Sequence, residues 1–446
     1  MSNALVNIFK IADLRRRVLF TLFVLVVYRI GAHIPIPGIN VEALKDYFIE
    51  AETAGLLDFF DLFAGGALKR FTIFALGIMP YISASIIIDL LKVVIPHLDE
   101  LGKEGAQGQK KLSQYTKYGT VFLCTIQGLG ITFWMKSMRT STGYSVVPDG
   151  SGIGFVILAV LSIVTGTMVL MWFGEQITER GIGNGISLII MAGIVVQMPQ
   201  ATVATIRRIG QTGEPIVGII LICIFFGVVA ASILLTLGTR RIPVQYGKRM
   251  AGGAAVQRST QFIPLRVNAA GVIPIIFASA IIVFPSQMIR MIGVSSNEYL
   301  NKLQYWLSHG QIPYMFVYAL LIIFFCFFYT SLRFNPVDIA ENLKKYGGFI
   351  PGIRPGENTS EYLTGILNRL TLSGSIFLAA IAIVPDFIIR IWPEQVPAEM
   401  AYLFGGTSLL IIVGVTLDTL KQIESQLLMR HYDGFLGKKK RIQGRF

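Results

Sequence analysis

Along the 446 residues, apolar positions gather into ten long blocks, at 18–36, 72–95, 118–136, 153–173, 183–202, 214–238, 264–290, 313–332, 370–392 and 402–421. A helix needs roughly 20 apolar residues to cross the hydrocarbon of a bilayer. Every block is near that length, so the pattern predicts an all-α, polytopic membrane protein with ten transmembrane helices. One segment breaks the pattern, DLFAGGALKR at 61–70. It is rather apolar for a loop in water, yet as a helix of about 15 Å it reaches only halfway across a bilayer. Its adjacent Gly65 and Gly66 each cost a helix roughly 1 kcal/mol relative to alanine. A short, marginal helix beside a full-length span is therefore expected.

The blocks also repeat. GIMPYISASIII (77–88) matches GVIPIIFASAII (271–282) at Gly77/Gly271, Pro80/Pro274, Ile82/Ile276, Ala84/Ala278 and Ser85/Ser279. GISLIIMAG (185–193) matches GTSLLIIVG (406–414) at Gly185/Gly406, Ser187/Ser408, Ile190/Ile411 and Gly193/Gly414. In a ten-span chain the second and seventh spans run in opposite directions, as do the fifth and tenth. Similar segments of opposite direction are what an inverted-topology repeat produces. The expected organisation is an N-terminal half over 1–205 with spans one to five, a C-terminal half over 206–421 with spans six to ten, and a basic tail over 422–446. An in-plane pseudo-two-fold axis brings Ile82, Ile276 and Ile411 to mid-depth, with Ile190 a little nearer the cytoplasm. Ile78 lies one turn from Ile82 on the same face. Each of these isoleucines taken singly reads as core packing. Together they read as an apolar ring between the halves, and a hydrophobic constriction excludes ions by dewetting. Pro80 and Pro274 are expected to bend their helices. Ser83, Ser85, Gln127 and Asn268 need partners across helix interfaces, either as ordinary interhelical bonding or as a seam between spans two, three and seven that opens.

Composition agrees with this picture: 53% of residues are hydrophobic and only 15% charged, against about 25% charged in an ordinary soluble domain. The net charge of +13 would suit a nucleic-acid binder. Most of the lysines and arginines, however, fall in the segments on the N-terminal side of the membrane, the bias of the positive-inside rule, which places both termini in the cytoplasm. Two basic loops stand out. Residues 239–268 alternate apolar and polar positions at Ile242, Val244 and Tyr246, pass through the tip AGGAA and resume as VQRSTQF, which reads as a β-hairpin finger with basic edges. Residues 333–363 hold a short helix-like stretch and then GGFIPGIRPG, whose prolines and glycines present Arg354 on a stiff turn. Both suit a large cytoplasmic partner, either ribosomal RNA or an acidic protein surface.

Catalytic patterns are missing. The chain has no H-E-x-x-H, no G-x-S-x-G and no Walker loop. His33, His97, His309 and His431 are far apart, and Cys124, Cys223 and Cys326 lie in apolar runs as small core residues, so neither a metal site nor a cofactor is expected. Asp89 has Lys92 three residues on as an ion-pair partner. Asp386 and Asp418 stand near span ends, leaving mid-depth without the carboxylates of a proton-coupled pump.

The stretches FAGGALKRFTIFALGIMPYISASIII, LMWFGEQITERGIGNGISLII, NAAGVIPIIFASAIIVFP, and GFIPGIRPGENT followed by FGGTSLLI closely resemble the SecY family, along essentially the whole chain. That family is the channel subunit of the bacterial Sec protein translocon, located in the cytoplasmic membrane. The resemblance implies two five-helix halves around a central pore, with a plug helix over 58–71 closing the outer funnel. The core of that plug is Asp61, Leu62, Phe63, Ala64, Gly65, Gly66, Ala67, Leu68, Lys69 and Arg70. It implies a pore ring of Ile78, Ile82, Ile186, Ile190, Ile276 and Ile411. Ser83, Gln127, Asn268 and Phe284 match the lateral gate where signal sequences leave for lipid. Arg354, in the loop over 333–369, matches an arginine needed by the motor ATPase SecA. The 240–258 finger, within the loop over 239–263, matches the loop that enters the ribosome exit site and carries Arg240, Arg241, Lys248, Arg249 and Arg258. The implied partners are the small membrane subunits SecE and SecG, SecA, the ribosome, signal peptides, unfolded polypeptide substrates and the lipid bilayer; no catalysis is implied. The chain departs from the family in two places. Gly253 and Ala254 stand where many relatives carry paired arginines, which weakens the expected RNA contact. Asp89 stands where relatives often have a neutral amide. Two other readings stand beside this one. A secondary transporter would also use inverted repeats and broken helices, but the lack of mid-depth charge and the long cytoplasmic loops count against it. An intramembrane enzyme lacks any nucleophile or metal set.

Overall fold

The computed structural model describes residues 11–50, 61, 63–138, 144–148, 151–246, 260–268, 270–279, 281–282, 302, 306, 310–393 and 395–436. In chain order the helices are α1 (Ala12–Gly31), α2 (Val41–Glu50), α3 (Met79–Val94), α4 (Pro96–Lys103), α5 (Ala106–Ser137), α6 (Ile153–Arg180), α7 (Gly185–Thr212) and α8 (Pro215–Leu237). Strands β1 (Thr239–Tyr246) and β2 (Thr260–Arg266) follow, then α9 (Ile312–Arg333), α10 (Pro336–Lys345), β3 (Gly348–Phe349), α11 (Glu357–Ile391), α12 (Ala398–Phe404) and α13 (Gly406–Leu436). Residues 273–279 and 281–282 are also helical.

Among the described residues, seven helices are long and apolar enough to cross a membrane, and an eighth results if α3 and α4, bent by 104° at their junction, count as one span. Helix α1 has the length of a span, but its first turns carry Arg15, Arg16 and Arg17. The block at 264–290 runs beyond the described residues at 283–290. Several helices outrun their apolar blocks. Helix α5 begins at Ala106 rather than 118, α11 at Glu357 rather than 370, and α13 continues to Leu436. Hydropathy marks only the part of a helix that sits in hydrocarbon, whereas backbone hydrogen bonding carries the helix on into water.

The second block departs most from expectation. Residues 65–78 form a run of turns broken by one bridge residue, Thr72, and helix starts only at Met79. Gly77, at φ 56°, turns the chain in the left-handed region that favours glycine. Pro80 then occupies the first turn of α3, where its missing N–H is not needed. It starts the helix instead of bending it. The repeat partner behaves alike: Gly271 has φ 68° and the helical run begins at 273, with Pro274 in its first turn. The Gly and Pro matches of the two halves therefore encode one local device, a left-handed turn followed by a proline-started helix.

Packing repeats as well. Helix α5 packs on α6, α6 on α7, and α1 on both α6 and α7. Likewise α9 packs on α11, α11 on α13, and α8 on both α11 and α13. The two sets of contacts follow one pattern, with α8, α9, α11 and α13 in place of α1, α5, α6 and α7. Between α7 and α8 the chain turns at Gly213, the left-handed cap of α7 at φ 72°, followed by Pro215 in the first turn of α8. Helix α7 packs against α8, α12 and α13.

Outside the helical core, β1 pairs antiparallel with β2 from Thr239↔Arg266 to Gln245↔Thr260, and β3 adds to the other edge of β1. Ile242 and Val244 of β1 are buried against Leu343, Ile350, Leu363 and Ile366, so the hairpin stem, α10, β3 and the start of α11 share one small core. The two long loops of the sequence thus form a single platform. Tyr246, the third position of the alternating pattern, is exposed at the edge of that core.

Candidate functional site

One apolar cluster brings together residues that are far apart in the chain. Ile78, Ile190, Ile276 and Ile411 are buried in it, and Ile82 and Ile186 pack against it as partly buried members. Their positions follow from the local devices described above. Ile78 is the N-cap residue of α3, and its carbonyl accepts from the Ile82 N–H at 3.1 Å, so the two stay one turn apart although only Ile82 is helical. Ile186 and Ile190 stand in the first two turns of α7, whose N-terminus is capped by the Asn184 side chain accepting from Ile186 N and Ser187 N. Ile276 follows the Gly271 turn, and Ile411 follows Gly406, at φ 58°.

The 61–70 segment lies against this cluster: Phe63, Ala64, Ala67 and Leu68 belong to it. It is not a ten-residue helix. Residues 61, 63 and 64 are helical and 65–70 turn; Leu62 and residues 58–60 lie outside the described residues. Nor do the glycines loosen it. Gly65 and Gly66, at φ 66° and 84°, make the turn, and a Cβ on Gly65 would come within 2.9 Å of the Gly193 Cα of α7, so glycine meets glycine at a backbone-to-backbone contact. Three further helical side chains pin the segment. Gln197 Nε2 donates to the Asp61 carbonyl at 2.8 Å, Arg29 Nη1 to the Gly65 carbonyl at 3.0 Å, and Tyr28 Oη to the Ala64 carbonyl at 3.4 Å. The buried Asp61 carboxylate accepts from the N–H groups of Leu68 and Lys69 at 3.0 and 3.1 Å, closing the turn on itself. Lys69 and Arg70 are half-buried.

Ser83 on α3, Gln127 on α5 and Asn268, just before the 273–282 helix, are each half-buried, and among the described residues they share no hydrogen bond with one another. Phe284 lies outside the described residues. What links these elements is different. Ile86 of α3 packs on the cluster holding Ile275, Phe277 and Ile282. Asp89 Oδ1 pairs with Lys92 Nζ at 2.7 Å, the ion pair expected from their spacing, while Asp89 Oδ2 accepts from Tyr329 Oη of α9 at 3.2 Å. Of the cysteines, Cys124 and Cys326 are buried, but Cys223 is exposed on the outside of α8 and is no core residue.

On the platform Arg354 is exposed. Its turn is held by Thr359 Oγ1 donating to the Arg354 carbonyl at 2.9 Å, by Gly352 and Gly356 at φ 82° and 111°, and by buried Ile350 below. Arg240 and Arg241 are exposed on β1; Lys248, Arg249, Arg258 and the tip with Gly253 and Ala254 lie outside the described residues. A cavity of about 420 Å3 opens among the N-terminus of α7, the end of β2 and α13, lined by Asn184, Ser187, Arg266, Asp418, Lys421 and Gln422. Among the described residues no group of His, Cys, Asp or Glu could hold a metal.

Sequence reading missed Tyr28, Arg29, Gly193, Gln197 and Tyr329. Gln197, a polar residue inside an apolar block, carried a signal, because such a group needs a partner within the protein.

With the geometry in place, comparison with known proteins gives one answer. The SecY family model matches residues 72–420. The protein translocase subunit SecY of Aquifex aeolicus is 43% identical over 98% of this chain and 100% of its own length. That of Escherichia coli K12 is 45% identical over 97% of this chain and 96% of its own. Two solved structures share the fold. One concerns the SecY plug domain that stabilises the closed state of the translocation channel and maintains a membrane seal; its TM-score is 0.62 at 20% identity, covering 93% of this chain and 92% of that one. The other is Sec61 in the canine ribosome–channel complex of the endoplasmic reticulum, with TM-score 0.59 at 18% identity and the same coverages.

Proposed function

This chain belongs to the SecY family, the channel-forming subunit of the membrane's protein translocase, and on that premise we propose how its parts divide the work. Ten membrane-crossing segments in two halves of opposite orientation enclose the pore: α1, α3, α5, α6 and α7 against α8, the 273–282 helix, α9, α11 and α13. The halves span residues 1–205 and 206–421, with a basic tail beyond. One observation carries this reading. The six isoleucines at 78, 82, 186, 190, 276 and 411, drawn from four separate chain segments, meet in one apolar cluster with the 61–70 segment against them. The recurring helix pairs and the matched Gly77 and Gly271 turns support it.

The isoleucines act as the seal. Water does not wet a constriction lined by branched alkyl groups, so ions stay out at rest, and the same soft side chains fit around an extended polypeptide of any sequence. The 61–70 segment is the plug, held by a few hydrogen bonds that a substrate chain displaces. Helices α3 and α5 on one side, and the 273–282 helix and α9 on the other, make the lateral gate, with Ser83, Gln127, Asn268 and Phe284 along it. Arg354, Arg240 and Arg241, with Lys248, Arg249 and Arg258, form the docking face for SecA and the ribosome; one structural neighbour sits in a ribosome complex. SecE and SecG complete the channel. Both termini are cytoplasmic, in the bacterial inner membrane, and the subunit conducts without catalysing and without a cofactor. No relative or structural neighbour speaks for the transporter reading.

The test is reconstitution with SecE in proteoliposomes. On addition of SecA and ATP, an unfolded precursor bearing a signal sequence becomes protease-protected. A preparation that copurifies with SecE yet protects no precursor overturns the proposal.

A further inference from the structure

The two halves are tied at opposite edges by different means. Along α7 they pack broadly against α8, α12 and α13, with Gly183 N donating to Gln422 Oε1 at 3.0 Å and Thr416 Oγ1 to Met191 Sδ at 3.7 Å. Where α3 meets α9, among the described residues, Ile86 packs on the cluster of Ile275, Phe277 and Ile282, and the polar tie is the hydrogen bond from Tyr329 to Asp89.

The geometry of that tie is specific. Asp89 divides its two carboxylate oxygens between the halves. Oδ1 stays with Lys92 on its own helix at 2.7 Å, and Oδ2 accepts from Tyr329 across the seam at 3.2 Å. The Tyr329 ring lies 5.6 Å from Phe277, which stacks on Phe325 at 5.2 Å, so aromatic packing within the second half aims the hydroxyl at Asp89. Both Asp89 and Lys92 are about one-third exposed, at 30% and 32%, near the last turn of α3.

We propose that Tyr329 and Asp89 form a latch across the gate and that this latch sets how strong a signal sequence must be to open it. The proposal rests on the reading of the α3–α9 seam as the gate. Its physical basis is the division of the carboxylate. When the seam parts, Asp89 keeps Lys92, so no unpaired charge is stranded at the edge of the hydrocarbon, where it would be expensive. Opening breaks one charge-assisted hydrogen bond. The latch is therefore firm enough to bias the gate shut and weak enough to be reversed by each substrate. A strongly apolar signal sequence gains enough by entering the seam to break it, and a weak one does not. A shift of the closed-to-open ratio acts on weak signals and is invisible to strong ones, which open nearly every channel they meet.

The experiment uses the full chain reconstituted with SecE and SecA, and two reporters that differ by one charged substitution in the apolar core of the signal. Y329F removes the hydroxyl and keeps the ring on Phe277. It raises uptake of the defective-signal reporter about tenfold, the scale of one hydrogen bond to a charged group, and leaves the intact reporter unchanged. Asp89→Ala, which removes the acceptor, raises it in the wild-type background but adds little to Y329F, because both remove the same hydrogen bond, while Lys92 near the helix end keeps access to water. Stringency at the wild-type level in Y329F overturns the latch. A second arm tests the gate itself. In a chain with Cys124, Cys223 and Cys326 changed to serine, Asp89→Cys and Tyr329→Cys are joined by a short bis-maleimide, which adds one thiol at each end, and the crosslinked fraction is assayed. Loss of uptake of both reporters identifies the seam as the gate. Normal uptake through crosslinked channels overturns the gate reading. Loss of uptake in that arm, together with unchanged stringency in Y329F, overturns the latch alone.

Discussion

Gln197 of α7 holds the backbone carbonyl of Asp61 at 2.8 Å, across 136 positions of sequence. The bond runs from α7 to the segment resting on the isoleucine cluster, and it ends on a backbone atom. Altering the side chains of the segment therefore leaves it intact, whereas altering Gln197 does not.

Gln197→Leu removes that donor and keeps the bulk. A neutral hydrogen bond contributes about 1 kcal/mol, so the population of channels with the segment displaced rises roughly fivefold. Single-channel recording in planar bilayers reads this as more frequent resting openings of unchanged amplitude. Resting traces identical to wild type would show that the bond does not hold the segment.

The two glycines of the turn are unequal. Gly65→Ala puts a Cβ 2.9 Å from Gly193 Cα and 2.7 Å from Arg29 Nη1, whereas Gly66→Ala meets nothing closer than 3.8 Å. Both substitutions carry the left-handed strain, about 1–2 kcal/mol, but only the first forces backbone from backbone. G65A is expected to leak more at rest than G66A, and the order of their resting conductances checks it.

Ile82→Ala with Ile276→Ala takes apolar bulk from opposite halves of the same cluster. Removing such groups widens the constriction, and water enters it. Resting ion conductance rises, while assembly with SecE, followed by copurification, persists because the helix contacts of α3 remain. An unchanged resting conductance would make these two isoleucines packing residues only.

Arg354→Glu reverses an exposed charge on a turn held from behind by Thr359 and Ile350. The platform keeps its fold, and ATP-dependent uptake driven by SecA falls by at least an order of magnitude, as expected when a rigid guanidinium contact is replaced by repulsion. Ile350→Asp behaves differently. Ile350 is 3% exposed in the platform core, so a carboxylate there destabilises the platform by several kcal/mol and exposes its segments 239–246 and 334–369 to trypsin. Limited proteolysis beside the uptake assay separates the two mutants.

Much of this architecture was legible in the chain because the bilayer acts on one property at a time. Apolar blocks long enough to span a bilayer appear as such along the chain, and most Lys and Arg gather in the segments between them. The Gly77/Gly271 and Pro80/Pro274 matches survive because a left-handed turn and a proline-started helix each accept few residues. The meaning of those matches was less legible. A proline inside an apolar block reads as a bend, and its place in the first turn of α3 emerges only once the Gly77 turn sets where the helix begins.

By itself the sequence determined the apolar blocks, the Gly and Pro matches between them and the two basic loops, all of which are sums or periods taken along the chain. Tertiary structure alone decided which polar groups meet. Arg29 finds Gly65 across 36 positions, Gln197 finds Asp61 across 136 and Tyr329 finds Asp89 across 240. A hydrogen bond needs its partners within about 3.5 Å and aligned. That alignment is set by how helices from different parts of the chain pack, through contacts of Gly193 with Gly65 and of Phe277 with Tyr329. Local pattern fixes which face of a helix is apolar, but it leaves open which other helix that face will meet, and so the bonds of Arg29 to Gly65, Gln197 to Asp61 and Tyr329 to Asp89 exist only in the folded chain.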